Sequence, residues 1–198
     1  MPRNDRRGGN IGNGGGITAM TDSNWQTVGS TYLFKSPYFD LRQDQVTLPD
    51  GDQITYSMIE HPGYAMVVPL GADGRVVMEH IYRHPLRRTL LECPSGGLDG
   101  DSPDVAARRE LEEETGYRAT HLTGLGRYAG SSGISNEYFH LFLATSLSPD
   151  GQLCHETTEQ IEIELIPLCR LRQMVITGKI EDGPSALAIL LAWAATRT

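Results

Sequence analysis

The segment ARRELEEETGY, residues 107–117, places four acidic residues within five positions, directly after two arginines. Ser102 and Pro103 suit an N-cap and a first helical position, and Gly116 suits the residue just past a helix end. The segment therefore predicts a helix that runs to about Thr115. Like charges one turn apart on a helix repel each other. The fold must supply something that offsets this repulsion.

Helical geometry separates the four glutamates. At about 100° per residue, three of them share one arc, while Glu112 points away. The three are Glu110, Glu113 and Glu114. Arg109 can pair with Glu113 and Arg108 with Glu112, each four residues apart. Two interpretations remain open from the residues alone. One is a solvated helix face with salt bridges, and the other is a divalent metal site, because Mg²⁺ prefers clustered oxygen ligands.

Composition narrows the class of protein. A chain of 198 residues suggests one substantial domain. The net charge of −8 disfavours nucleic acid and anionic membranes as partners. No apolar run reaches the roughly 18 residues of a transmembrane helix, and the N-terminus lacks the apolar centre of a signal peptide. The cysteines are odd in number and form no CxxC motif, so we expect reduced thiols in a cytoplasmic protein.

The order of apolar runs predicts a mixed α/β architecture with mostly antiparallel strands. GADG, residues 71–74, predicts a hairpin between the runs on either side of it. The last predicted helix is apolar on nearly all sides, so we expect it in a core or an interface. We predict strands at 25–34, 38–48, 52–60, 63–70, 75–83, 89–93, 137–147 and 161–168, and terminal helices at 171–177 and 184–195.

The loop and acidic helix together, GGLDGDSPDVAARRELEEETGY, resemble the Nudix box, G-x5-E-x7-R-E-U-x-E-E-x-G-U, in which U is bulky and apolar. Residues 109–117 match its second half at every fixed position. In the first half, Asp101 stands in place of the first glutamate, and the loop is one residue short with Gly96 as its glycine. So many fixed positions at fixed spacing make the resemblance specific, and it favours the metal-site interpretation.

The resemblance implies a Nudix hydrolase of the α+β class, an α/β/α sandwich with a mixed, largely antiparallel sheet. Such enzymes use Mg²⁺ or Mn²⁺ to hydrolyse a nucleoside diphosphate linked to another group. By position, Glu110 and Glu114 would be the main metal ligands, and Glu113 would share in binding. Arg109 would orient a glutamate, a role that suits its planar guanidinium.

The segments around the box resemble ADP-ribose pyrophosphatases and related nucleotide-sugar hydrolases. YRHPLRRTLLECPSGG resembles their QYRxxx…ELPAG pattern, which implies substrate binding by Arg83 and Glu92 and a metal-binding backbone carbonyl at Ser95. GSSGISNEYF resembles their SPGxxxE loop, which makes Glu137 a candidate for binding ribose or metal. Ser132 stands where ADP-ribose hydrolases usually carry a proline, which leaves the sugar end of the substrate open.

The general base in this subfamily is a glutamate on the loop before the last strand. HETTEQIEIEL fits that place, and residues 159–163 resemble the family's E-x-[IV]-E-[IV]. We therefore expect Glu159 to deprotonate the attacking water, with Glu156 as the second candidate. Glu162 and Glu164 alternate along the predicted strand and are expected on its solvated face.

Three regions divide the chain. Residues 1–24 are rich in Gly, Asn and Arg and predict a disordered or expression-derived tail. Residues 25–61 form an N-terminal strand extension, and residues 62–198 form the Nudix hydrolase domain. The extension resembles the strands by which ADP-ribose pyrophosphatases dimerise and complete each other's adenine pocket, so we expect a homodimer.

We therefore expect a cytoplasmic, Mg²⁺-dependent pyrophosphatase. Its substrate would be ADP-ribose or a related nucleoside diphosphate sugar, cleaved to a nucleoside monophosphate and a sugar phosphate. GDP-mannose or another nucleoside diphosphate sugar is the alternative substrate. A catalytically silent Nudix module that senses such ligands is the alternative from another class of protein.

Overall fold

A computed structural model describes residues 24–155 and 160–197. These residues form ten strands and three helices. In chain order they are β1 (Gln26–Lys35), β2 (Asp40–Thr47), β3 (Gln53–Glu60), β4 (Tyr64–Pro69), β5 (Arg75–Arg83), β6 (Arg88–Glu92), β7 (Ser95–Gly97), α1 (Pro103–Thr115), β8 (Arg118–Ala129), β9 (Tyr138–Ser148), β10 (Ile161–Pro167), α2 (Leu168–Ile176) and α3 (Gly183–Ala195).

The described strands form three sheets, ordered β1-β2-β3, β7-β4-β9-β8 and β10-β5-β6. β4 and β9 run parallel, and the other neighbouring strands in these sheets are antiparallel. The predicted α+β class with a mixed, largely antiparallel arrangement is confirmed.

β4 is the centre of the sandwich because both of its faces are buried. Alternate side chains of a strand point to opposite faces. Ala65 and Val67 belong to one core cluster together with residues of α1, whereas Met66 and Val68 belong to the cluster that contains residues of α2 and α3. Helices thus cover both faces of the strand, and the predicted α/β/α sandwich is confirmed.

The apolar C-terminal helix α3 is a core element, as predicted. Ala188, Ile189 and Ala192 are fully buried. Asp182 caps its N-terminus, where the carboxylate accepts a 2.8 Å hydrogen bond from the Ser185 backbone N–H. The buried Ser185 hydroxyl in turn accepts a hydrogen bond from the Cys93 N–H at 2.9 Å. This bond joins α3 to the chain just before β7.

The predicted hairpin across GADG is wrong. The turn itself is present, and the Gly71 N–H donates to the Arg75 carbonyl at 2.8 Å. β4 and β5 nevertheless enter different sheets, and only an isolated bridge between Leu70 and Val76 joins their ends. Both strands have runs of consecutive buried residues, which is typical of strands covered on both faces. β4 pairs with β7 and β9, and β5 pairs with β10 and β6.

Two strands were not predicted. β7 lies in the expected loop 94–101, and three residues with two glycines give no strand signal. β8 forms the edge of its sheet, contains two glycines and shifts register between Gly124 and Gly126. Its mostly exposed side chains carry little apolar pattern. In addition, α2 begins at Leu168 rather than at residue 171.

The N-terminal sheet leaves much apolar surface uncovered. All ten residues of β1 are exposed, on both faces of the strand. The exposed large apolar side chains in and next to this sheet are Trp25, Val28, Tyr32, Leu33, Phe34, Tyr38 and Phe39. The sheet joins the rest of the chain through β3, where the Ile59 N–H donates to the Ile134 carbonyl at 2.8 Å.

None of the helices in the described residues has the length and apolar character needed to span a bilayer.

The bond between α3 and the pre-box segment gives a stability prediction. Ser185→Ala leaves the buried Cys93 N–H without its acceptor, so we expect the free energy of unfolding to fall by about 1–3 kcal/mol. Ser102→Ala is the matched control, because the Ser102 hydroxyl forms no capping hydrogen bond to the α1 backbone and donates instead to the exposed Asp104 carboxylate at 2.7 Å. Urea denaturation followed by circular dichroism measures both. Equal losses in the two variants would contradict the role given to Ser185.

Candidate active site

The two glutamates predicted as main metal ligands lie side by side under β7. Glu110 and Glu114 are four residues apart on α1, and both are buried, at 7% and 3% exposure. The Ser95 N–H donates to Glu114 Oε2 at 2.8 Å. The Glu110 carboxylate rests against the Cα of Gly96, and a Cβ atom at Gly96 would overlap it. The box glycine therefore provides the space that this carboxylate needs.

Arg109 is the cation that offsets the repulsion within the box. Its Nη1 donates to Glu110 Oε1 at 2.6 Å and to Glu113 Oε2 at 3.4 Å. Its Nη2 donates to the Gly97 carbonyl at 2.8 Å and to Asp99 Oδ2 at 3.2 Å. The predicted pairing with Glu113 is confirmed. One guanidinium thus connects the acidic helix to the glycine-rich loop.

Asp101, which replaces the first box glutamate, also faces Arg109. Its Oδ2 lies 3.6 Å from Arg109 Nε. The loop that carries it makes a tight turn, with Asp99 at φ 50° and Gly100 at φ 89°. Asp101 therefore adds negative charge beside the arginine.

The predicted pair of Arg108 and Glu112 is wrong. Arg108 Nη1 instead donates to the Ala119 carbonyl at 2.6 Å. Glu112 accepts two hydrogen bonds from Arg118, at 2.9 Å from Nε and 2.6 Å from Nη2. These bonds lower the pKa of Glu112. Arg118, on the strand that follows the helix, is the partner of Glu112 instead of Arg108. Residue spacing along the helix cannot predict such a partner.

A cavity of about 520 Å³ opens on the other side of β7. Its residues come from two of the sheets and from the loops that flank the N-terminal sheet, so its walls are built by distant parts of the chain. The predicted residues Arg83, Glu92, Ser95 and Glu137 line it, whereas Glu110 and Glu114 lie behind its β7 wall. Ser95 and Gly96 therefore border both the cavity and the two buried carboxylates.

Arg83, at the end of β5, and Glu92, at the end of β6, form a bidentate ion pair although the strand register does not place them opposite each other. Arg83 Nε lies 3.0 Å from Glu92 Oε1, and Nη2 lies 2.6 Å from Oε2. The Glu92 hydrogen bonds raise the pKa of Arg83. Glu92 is buried at 3% exposure and fixes the orientation of the guanidinium. The remaining N–H groups of Arg83 can bind phosphate oxygens.

Another wall of the cavity is rich in acidic and aromatic groups. Glu137 Oε1 lies 3.3 Å from His61 Nδ1. The Tyr64 ring stacks on Phe139, with centroids 5.5 Å apart. Burial, with the added charge of Glu137 and other acids, raises the pKa of Tyr64. Its hydroxyl therefore stays protonated and can donate a hydrogen bond.

Sequence reasoning does not assign several of the lining residues to the site, among them His61, Tyr64 and Asp182. The sequence pattern places Tyr64 only in an apolar strand. Asp182 also lines the cavity, although it precedes a helix far from the box. Its position before Gly183 and Pro184 is a signal for an N-cap, but no local pattern links it to a ligand.

The predicted bases, Glu159 and Glu156, lie outside the described residues. Ser132, at the expected proline position, is exposed between β8 and β9 and does not line the cavity.

The described residues contain no cluster of three or more His, Cys, Asp or Glu side chains arranged to bind a metal. Glu110 and Glu114 supply hard oxygen donors, and the adjoining backbone of β7 supplies carbonyl oxygens. Divalent cations such as Mg²⁺ take few protein ligands and complete their shell with phosphate oxygens and water. The donor set therefore fits a cation that is bound jointly by protein and phosphate.

Family comparisons divide the chain near residue 59. Residues 60–188 match the NUDIX domain. Residues 25–58 match the nucleoside diphosphate sugar hydrolase N-terminal domain.

Several characterised relatives resemble the chain along most of its length. The ADP-ribose pyrophosphatase of Bacillus subtilis is 33% identical over 166 residues, 83% of this chain and 90% of that protein. That of Mycobacterium tuberculosis is 31% identical over 180 residues, 89% of this chain and 87% of that protein. A GDP-mannose pyrophosphatase of Yersinia pestis is 31% identical over 163 residues, 78% of this chain and 81% of that protein.

A crystal structure of an ADP compounds hydrolase has the same fold. It superimposes with a TM-score of 0.77 at 20% identity and covers 87% of this chain and 94% of that one. With the match to the NUDIX domain, these similarities establish the family: the chain belongs to the Nudix hydrolases.

Proposed function

We propose that the protein hydrolyses the diphosphate linkage of ADP-ribose or a related nucleoside diphosphate sugar, with Mg²⁺ as cofactor and Mn²⁺ as a possible substitute. The products from ADP-ribose would be AMP and ribose 5-phosphate. One observation carries the proposal. A single cavity contains the fixed guanidinium of Arg83 and a glycine-rich strand, Ser95–Gly97, backed by two buried carboxylates.

The cavity has the size and the chemistry for such a ligand. About 520 Å³ lies within the usual range for small-molecule sites. Part of its lining is apolar or aromatic and suits a nucleobase: Pro37, Tyr38, Pro62, Pro85 and Leu86. Arg83 is the cationic group that suits the diphosphate, and Glu137 and Asp182 are acceptors for sugar hydroxyls.

Nudix hydrolases generally use divalent metals, and the family membership brings that requirement to this chain. Glu110, Glu114 and the Ser95 carbonyl would hold the cation, with Glu113 at the edge of the same helix. The metal, when bound, would offset phosphate charge and lower the pKa of a bound water. Arg109 would hold the carboxylates in place, because it already binds Glu110 and Glu113.

Proton transfer needs a base whose accepting atom lies about 3 Å from the oxygen of the attacking water. Glu159 remains our proposed base and Glu156 the alternative. Arg83 would meanwhile restrict the diphosphate to one orientation, because Glu92 holds its guanidinium.

A homodimer is part of the proposal. All ten residues of β1 are exposed, and seven large apolar side chains are exposed in and beside its sheet. This apolar surface is larger than the scattered apolar surface that a monomer usually exposes. A second copy that packs on the N-terminal sheet would cover it. Light scattering should give twice the mass of the chain, and a monomer at micromolar concentration would contradict this assignment.

The proposed activity predicts the outcome of a substrate panel. With Mg²⁺, we expect turnover of ADP-ribose to AMP and ribose 5-phosphate, measured by product chromatography beside GDP-mannose and UDP-glucose. Preference for GDP-mannose would favour the alternative substrate. Tight binding of ADP-ribose without turnover of any compound would instead favour the ligand-sensing module.

The metal assignment predicts a specific loss. Glu114→Gln removes one negative charge from the buried donor pair, so we expect kcat to fall about 100-fold or more and the Mn²⁺-induced rise in melting temperature to shrink. Glu164→Gln is the matched control, because Glu164 pairs with His80 on β10 and β5, away from the cavity. Full turnover and an unchanged metal response in Glu114→Gln would refute the assignment.

The same assay separates the two candidate bases. We expect Glu159→Gln to lose turnover while it keeps the metal response, because the base does not bind the cation. If Glu156→Gln lost turnover instead, Glu156 would be the base.

A further inference from the structure

The chemistry of the proposed reaction is divided between two distant parts of the chain. α1 carries the glutamates for the metal, and the predicted bases follow residue 155 in the sequence. The metal-bound water and the base must come within about 3 Å of each other. The contacts that fix the base-bearing segment relative to α1 therefore affect the rate. In the described residues, segment 151–155 lies across the C-terminal end of α1.

This segment satisfies backbone groups that helices usually leave open. The last four carbonyls of a helix have no partner within it. The Cys154 N–H donates to the Glu113 carbonyl at 2.9 Å. His155 Nε2 lies 2.8 Å from the Glu114 carbonyl oxygen. A carbonyl can only accept, so Nε2 carries the hydrogen in this bond.

The start of the segment is fixed at Gly116, the residue after the helix. The Gly151 N–H donates to the Gly116 carbonyl at 2.9 Å. A Cβ at Gly151 would lie 2.8 Å from that oxygen and 3.0 Å from Glu112 Cγ. The two backbones therefore approach as closely as a glycine allows.

Glu112 forms a further bond to the segment from the face of α1 that does not bind metal. Its Oε1 accepts a hydrogen bond from the Gln152 N–H at 3.2 Å. Arg118 holds both oxygens of the same carboxylate. Glu112 occupies the variable x position of the Nudix box, and the motif gives it no role.

The residues that line the cavity include neither Glu112 nor any member of segment 151–155. Glu112, Gln152 and Cys154 instead line a separate cleft beside Arg109 and Glu113. We therefore expect an effect of these side chains on the reaction to act through position. Such an effect would change kcat and leave KM nearly constant.

We propose that His155 and Glu112 are positioning residues, which hold the start of the base-bearing segment against the helix that binds the metal. The proposal rests on the proposed function. His155 contributes the bond to Glu114, a proposed metal ligand, and Glu112 contributes a bond from the face of α1 that points away from the proposed metal. A displacement of about 1 Å can lower a rate by about 100-fold, so bonds of this kind have a measurable effect.

Two variants of His155 test the bond. His155→Ala removes the donor, and we expect kcat for ADP-ribose to fall by about 10- to 100-fold with KM changed less than about twofold. His155→Gln carries an N–H donor at similar reach, and we expect it to recover most of the lost kcat. His121→Ala is the matched control, because His121 lies on β8 and its Nδ1 is 3.2 Å from the exposed Ser146 hydroxyl oxygen.

Glu112 gives a second, independent pair of variants. Glu112→Gln keeps an oxygen that can accept from the Gln152 N–H, whereas Glu112→Ala does not. We expect a lower kcat in Glu112→Ala and near wild-type kcat in Glu112→Gln. Hydrogen exchange should show faster exchange of the Gln152 amide in Glu112→Ala and of the Cys154 amide in His155→Ala.

The readouts distinguish the possible failures. If the wild-type protein hydrolysed no substrate of the panel, the proposed function would fail, while amide exchange would still test the bonds. If His155→Ala lowered the Mn²⁺ affinity in thermal-shift titration as much as kcat, the residue would act through the metal ligand, and the positioning proposal would be overturned. Unchanged kcat in His155→Ala, or no recovery in His155→Gln, would also overturn it.

Discussion

The contact between the Arg109 guanidinium and the box carboxylates is the interaction on which the site depends. Glu110 and Glu114 share one buried side of α1 with Glu113 beside them, and carboxylates this close disfavour ionisation unless a cation offsets their charge. Arg109 supplies positive charge to Glu110 and Glu113 and also donates to the Gly97 carbonyl, so one side chain offsets part of the helix charge and fixes the glycine-rich strand. β7 then separates the carboxylates from the cavity while it remains in contact with both. The proposed metal would bind at this boundary.

The same arrangement explains why the fold needs so many non-local bonds. α1 is fixed on β7 by Arg109, its C-terminal end is closed by segment 151–155, and the chain before β7 is held by Ser185 of α3. Each connection joins parts of the sequence at least ten residues apart. Contacts with β7 and segment 151–155 therefore fix the position of the acidic helix. The charges of the helix repel one another and do not fix it.

Apolar periodicity and capping residues act locally, so they allowed prediction of the mixed class, most strands and the helix that carries the box. The sandwich came from the resemblance to the Nudix family, as did Arg83, Glu92, Ser95 and Glu137, which share one cavity. Prediction from the sequence failed where partners come from elsewhere in the chain. Glu112 pairs with Arg118 on the next strand, and β4 and β5 separate into different sheets although the turn between them is a hairpin turn. Which strands pair depends on the other strands and helices that can pack against each of them, and these come from distant parts of the sequence.

The separation of β4 from β5 has a consequence for how such a protein can diversify. The cavity takes Tyr38 and His61 from loops that flank the N-terminal sheet, Tyr64 and Ser95 from the central sheet, and Arg83 from the third. Because the hydrogen-bond ladders of the three sheets are separate, substitutions in one wall need not disturb another. The chemistry of one wall can therefore change while β7 and the box helix keep their contacts.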